Sequence, residues 1–120
     1  MYNKKSKIEL QKSLDNERFN RVTCSFYRYC YINNPEDFRN KLYNDLKKLD
    51  ILGRIYVSKE GINAQISIPE HNLNDFKQYI YLFEIFNSIK FKYAVEEGVS
   101  FIKLKILVRD EIVAYNVPND

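Results

Sequence analysis

The sequence predicts an α+β domain in which a single β-sheet carries its two long helices on one face. Three observations predict it. Two stretches with helical apolar spacing alternate with stretches of period-two spacing, in the order β-α-β-β-α-β-β. The chain has only three glycines, yet two of them stand in "LGRIYVSKEGINAQISIP", where a tight hairpin needs one. Each strand sets apolar residues on one side against Tyr, Lys, Arg, Asn or Gln on the other, the pattern of a sheet covered on one face only.

Residues 1–20 are polar, with Ile8, Leu10, Leu14 and Phe19 as sparse apolar positions, and read as a tail or short docking helix. From Arg21 to Ile32 the period is two: Val22, Cys24, Phe26, Cys30 and Ile32 on one side, Thr23, Ser25, Tyr27, Tyr29 and Tyr31 on the other. Asn34-Pro35-Glu36-Asp37 then opens a helix, with an Asn cap, Pro in the first turn and acidic side chains at the positive end of the dipole. Phe38, Leu42, Leu46 and Leu49 form its apolar stripe, and it is expected to end near Asp50.

Ile55 and Val57 oppose Arg54, Tyr56 and Ser58 in the next strand; Ile62, Ala64, Ile66 and Ile68 oppose Asn63, Gln65 and Ser67 in its hairpin partner. Gly61 is the turn residue that takes positive φ without strain, and Gly53 suits a helix C-terminal cap or a strand kink. After Pro69, a second helix from Asn72 to Phe86 carries Leu73, Phe76, Ile80 and Phe83 on one stripe, with Asn72 as its cap. A fourth strand is expected over Ile89–Val95, a turn at Glu96-Glu97-Gly98, and a fifth strand over Phe101–Arg109. Helices separating antiparallel-capable strands in this order give the ferredoxin-like, split βαβ arrangement over residues 21–115, an antiparallel sheet with both helices on one face.

A chain of 120 residues supports one such domain and a core without disulfides or metal. Hydrophobic residues at 45% and few Gly or Pro exclude a disordered chain. No run approaches the ~18 apolar residues of a membrane span and no apolar signal region follows Met1, so no membrane partner and a cytoplasmic location are expected. Cys24 and Cys30 share one strand and so lie roughly 20 Å apart, beyond the ~4.4–6.8 Å Cα separation of a disulfide. They read as small, reduced, apolar side chains. There is no zinc pattern, nucleotide-binding glycine motif or Ser/His/Asp set, and the only histidine, His71, has no ligand at metal spacing. No metal, cofactor or catalytic residue is expected.

The net charge of +3 argues for a polyanionic partner only if the cations cluster. They do on the polar sheet face. Tyr27, Tyr29, Tyr31, Arg54, Tyr56, Asn63, Gln65, Lys90, Lys92, Phe101, Lys103, Lys105 and Arg109 are all expected there, without one carboxylate. Tyr27, Tyr29 and Tyr56 suit base stacking, Lys90, Lys92, Lys103 and Lys105 suit phosphates, and Arg54 and Asn63 suit polar recognition, so the face fits single-stranded RNA. Solvated strand residues, or a face covered by another domain, would leave the same pattern.

"TCSFYRYCYI", "LGRIYVSKEGINAQISIP" and "SFIKLKILVRDEIVA" together resemble the N-terminal domain of the rhodanese-type bacterial tRNA wobble-uridine hydroxylases, over about Thr23 to Ala114. The resemblance implies a ferredoxin-like or acylphosphatase-like domain. It also implies a parent oxidoreductase that forms 5-hydroxyuridine in tRNA with molecular oxygen, and a C-terminal rhodanese domain holding the catalytic cysteine. Residues 116–120 would then start the linker to that absent domain, and this chain would be inactive alone. Its partners would be tRNA and the rhodanese domain; the alternative is a scaffold that docks on the rhodanese domain without touching RNA. Acylphosphatase chemistry itself is not expected, because "YINNPED" offers neither a glycine-rich anion cradle nor an Arg after the first strand.

Overall fold

The computed structural model describes residues 7–94 and 101–112. The expected turn at Glu96-Glu97-Gly98, Val95 and the segment 116–120 lie outside the described residues. Helix α1 spans Lys7–Asp15 and precedes strand β1, Arg21–Tyr29. Helix α2 (Pro35–Lys47), the hairpin of β2 (Leu52–Ser58) and β3 (Gly61–Pro69), and helix α3 (Leu73–Tyr81) follow, then β4 (Lys92–Ala94) and β5 (Leu104–Val108). The five strands form one sheet in the order β4-β1-β3-β2-β5. Its first four strands pair antiparallel, and β5 adds to β2 in parallel, which makes the sheet mixed.

The two helical stripes and the apolar strand faces meet in one core. Leu42 and Leu46 of α2, Phe76 and Ile80 of α3, and Cys24, Phe26, Ile55, Val57, Ile62, Ala64, Ile66 and Ile106 of the sheet are all buried in it. Rings interlock edge-on there, Phe26 against Phe91 at 5.3 Å and Phe38 against Phe83 at 5.4 Å, a geometry that matches the positive ring edge to the negative ring face.

Local chemistry explains where the elements stop. The Asn34 side chain accepts from the Asp37 amide at 3.2 Å, capping α2 as its sequence requires. At the far end of α2 it is Asp50, at φ 58°, that takes the left-handed turn. Gly53 serves the sheet instead: at φ 132°, a Cβ there would lie 2.4 Å from the Gln65 carbonyl oxygen, so only glycine lets β2 approach β3. Gly61 closes the hairpin at φ 146°, where a Cβ would lie 2.0 Å from the Arg28 carbonyl oxygen.

Strand β1 and both ends of helix α3 differ from expectation. The ladder of β1 ends at Tyr29 rather than Ile32, because the Cys30 and Ile32 amides turn to the Glu60 and Lys59 carbonyls at the hairpin tip. Helix α3 ends at Tyr81; an extended Phe83 and a single 3-10 turn at Glu84–Phe86 let both Phe83 and Phe86 reach Phe38, which a straight helix would not. Asn72 makes no side-chain cap. It donates to the Leu49 carbonyl at 2.9 Å and so ties the start of α3 to the end of α2.

Candidate nucleic-acid interface

Residues paired across neighbouring strands point to the same side, so the register builds the polar face row by row. One row reads Lys92, Ser25, Gln65, Arg54, Lys105, crossing all five strands. Four strand spacings of ~4.8 Å make it about 19 Å long. The next row reads Tyr27, Asn63, Tyr56, Leu107, and the one beyond it Tyr29, Gly61, Ser58. Lys103, whose carbonyl accepts from the Gly53 amide, enters β5 on the opposite flank.

The long row is cationic and free of acid. Lys92, Arg54 and Lys105 are exposed, as is Lys103, and none of them forms an ion pair with a described residue. Arg21, at the β1 start, is already neutralised by Glu17 at 2.7 Å, and its Nη1 donates to the Ser67 carbonyl.

The aromatic positions are not equivalent. Tyr27 is 43% exposed, with the edge of Tyr29 against it at 6.2 Å. Tyr56 is half-buried and carries the Arg109 guanidinium 5.1 Å from its ring centroid, so one ring face is taken by a cation-π contact. Tyr29 is tied to the segment after β5: its hydroxyl donates to the Ile112 carbonyl at 3.3 Å, and the Ile112 amide donates to the Glu60 carboxylate at 3.1 Å. Asn63 lies in the middle of the face yet is 4% exposed, beneath its neighbours.

Three of the collected residues fall elsewhere. Tyr31 stands beyond the last ladder pair of β1, its hydroxyl on the Asn33 side chain, and is not part of the sheet face. Phe101 precedes β5 rather than belonging to it. Lys90 was expected in the fourth strand, but β4 begins only at Lys92; Lys90 instead lines a cleft beside Tyr27 at the edge of β1. Two residues before Lys90, Ser88 takes a left-handed turn at φ 63°.

Sequence reasoning passed over Arg28, a cation at a helix-side position of β1. Its guanidinium donates to the Asn87 carbonyl at 3.0 Å and the Ile85 carbonyl at 3.4 Å, stapling the segment that follows α3. The break in apolar alternation at position 28 was the signal available.

Burial pushes the Cys24 thiol up to about 12 and raises Cys30 as well, so both are protonated at neutral pH and poor nucleophiles. His71 packs edge-on against Phe19 at 5.0 Å. Among the described residues, no three His, Cys, Asp or Glu side chains are grouped to hold a metal ion, and no helix is long and apolar enough to cross a membrane.

Residues 21–112 match the family model described as the UPF0176 acylphosphatase like domain. A tRNA uridine(34) hydroxylase of Leptospira interrogans is 42% identical over the whole chain, and one of Photorhabdus laumondii is 41% identical over the same extent. One of Salmonella typhimurium is 40% identical over 95% of the chain. The chain spans about a third of the length of these relatives, 33%, 35% and 33% respectively. With the strand order, the one-sided helical cover and the match from Arg21 to Ile112 all in agreement, the chain belongs to the UPF0176 acylphosphatase-like domain family.

Proposed function

We propose that this chain is the tRNA-holding domain of a tRNA uridine(34) hydroxylase, gripping an unpaired RNA stretch on its polar sheet face while the chemistry takes place on another domain. The observation that carries the reading is the row Lys92, Ser25, Gln65, Arg54, Lys105, cationic from edge to edge and without a carboxylate, lying beside the exposed Tyr27 ring. Cations set against a strand of phosphates, with a ring available for an unstacked base, are what sequence-tolerant single-strand binding uses. Tyr27, Tyr29 and Tyr56 supply stacking surface, Lys90, Lys92, Lys103 and Lys105 meet phosphates, and Arg54 reads polar edges; Asn63, expected from the sequence to share that role, is only 4% exposed and stays out of the grip. The relatives' name supports tRNA as the RNA. Hydroxylation to 5-hydroxyuridine with molecular oxygen belongs, on this reading, to a rhodanese domain with its own cysteine, in the cytoplasm, and this chain alone is inactive.

The experiment is a salt titration of tRNA binding by fluorescence anisotropy. Each phosphate neutralised contributes a slope of about 0.7 in log affinity against log salt, so a steep fall is expected. Serine at Lys90, Lys92, Lys103 and Lys105 together abolishes binding with the fold intact, since all four are exposed.

A second reading is favoured by one observation. Ile112 is 4% exposed and sits outside the main core, held by Tyr29 and Glu60. The polar face is therefore already partly covered at its hairpin end, as a scaffold docked on a rhodanese domain would require. An isolated chain that binds no tRNA at low salt decides for the scaffold.

A further inference from the structure

Among the described residues, strand β1 is paired on its outer edge from Thr23 to Ser25, against Ala94 to Lys92. Continued by two residues, that register would set Lys90 opposite Tyr27. The two backbones part there, leaving a cleft of about 430 Å³ with Ser25 and Tyr27 on one wall and Ser88, Ile89, Lys90 and Lys92 on the other. The second wall is held in place from behind. Arg28 donates to the Asn87 and Ile85 carbonyls, and the Tyr81 hydroxyl donates to the Ile89 carbonyl at 3.2 Å. These bonds fix the segment between α3 and β4 on both sides of Ser88, which takes a left-handed turn at φ 63°, so the opening is built into the fold.

Its chemistry selects an occupant. Lys90 and Lys92 are exposed, no carboxylate lines the cleft, and the half-exposed Tyr27 is part of its lining. Hydroxyls at Ser25 and Ser88 add groups that both donate and accept. The volume lies within the ~300–1,000 Å³ of small-molecule pockets. A planar ring joined to a phosphate through a hydroxylated sugar matches all four features; a peptide strand laid along the edge would use the backbone but leave the lysines without anions.

We propose that this cleft is a pocket for a single unstacked nucleotide of the bound RNA strand, its base against Tyr27 and its phosphate between Lys90 and Lys92. The inference rests on the RNA reading above and gives it an anchor point: Lys92 and Tyr27 border both the cleft and the open face, so the strand leaves the pocket onto the row ending at Lys105.

The probe is uridine 5′-monophosphate, titrated into the isotope-labelled chain and followed by amide chemical shifts, with uridine and inorganic phosphate as separate arms. The nucleotide is expected to shift Ser25, Tyr27, Ser88 and Lys90, and each half-ligand to bind about tenfold more weakly or less. Tyr27→Ala should weaken nucleotide binding by about tenfold, and Tyr27→Phe should restore it, since stacking needs only the ring. Shifts that fall elsewhere, or phosphate binding as tightly as the nucleotide, overturn the pocket. If the chain in that case still binds tRNA with steep salt dependence, the open-face reading stands without the pocket; if tRNA fails too, both fall.

Discussion

The two sides of one sheet are made by the same strands from adjacent residues and do different work. On the helix side, Cys24 and Phe26 are 0% and 4% exposed; Tyr27, the next residue, is 43% exposed on the other side. The helix side has its partners within the domain, α2 and α3, and its side chains interlock. The opposite side has polar groups at nearly every position, and neither α2 nor α3 packs its apolar stripe there. On the proposed reading, strand alternation separates stability from recognition, and a residue's parity tells which of the two a substitution will disturb.

The largest expected effect belongs to the helix side. Phe76→Ala, which empties a fully buried ring site beside Phe26 and Phe91, should cost about 3–5 kcal/mol in chemical denaturation and leave little of a domain this size folded at elevated temperature. A loss below about 1 kcal/mol would mean that the two faces are not so different.

Tyr27→Ala is the counterpart on the open side. It should leave stability within about 0.5 kcal/mol while weakening RNA binding by about 1–3 kcal/mol per stacked base. Arg54→Ala with Lys105→Ala should lower the salt slope by about one to two phosphate contacts, again with the fold unchanged.

The smallest effect tests the rim where α3 meets α2. Tyr79 donates to the Asp45 carboxylate at 2.6 Å, and this bond is the main cause of the lowered Asp45 pKa; burial, then the bond itself, raises that of Tyr79. Because the folded carboxylate titrates below its unfolded value of about 3.9, its contribution is full above that value and is lost as pH falls through the lower folded pKa. Tyr79→Phe should cost about 1 kcal/mol at neutral pH and reduce the acid dependence of stability in that window, as read from urea midpoints across pH. Unchanged acid dependence would place the source elsewhere.

Much of this was legible in the chain. Period-two alternation and the two helical stripes depend on residues near one another in sequence, and they yielded the element order, the core and the one-sided cover. Asn34 and Gly61 worked because a cap and a hairpin turn are local events. Gly53 did not, since its need for glycine comes from β3 crossing close by, a contact that spacing cannot reveal. The site residues fared likewise. Arg54, Lys92 and Lys105 fell into one row because register follows from parity and a short turn, whereas Lys90 lies outside β4, two residues after a left-handed turn at Ser88 that spacing does not reveal. Tyr56 under Arg109, Tyr29 tied to Ile112 and Arg28 on the post-helical carbonyls are long-range contacts, and a pattern read along the chain gives polarity but not partner.

Lysine footprinting with an amine-reactive acylating reagent, with and without tRNA, tests most directly whether recognition is confined to the open face. Lys47 and Lys48, exposed at the end of α2, serve as the helix-side reference. The account predicts that tRNA protects Lys92, Lys103 and Lys105 and leaves Lys47 and Lys48 as reactive as before; protection of the α2 lysines with the sheet lysines unchanged would contradict it.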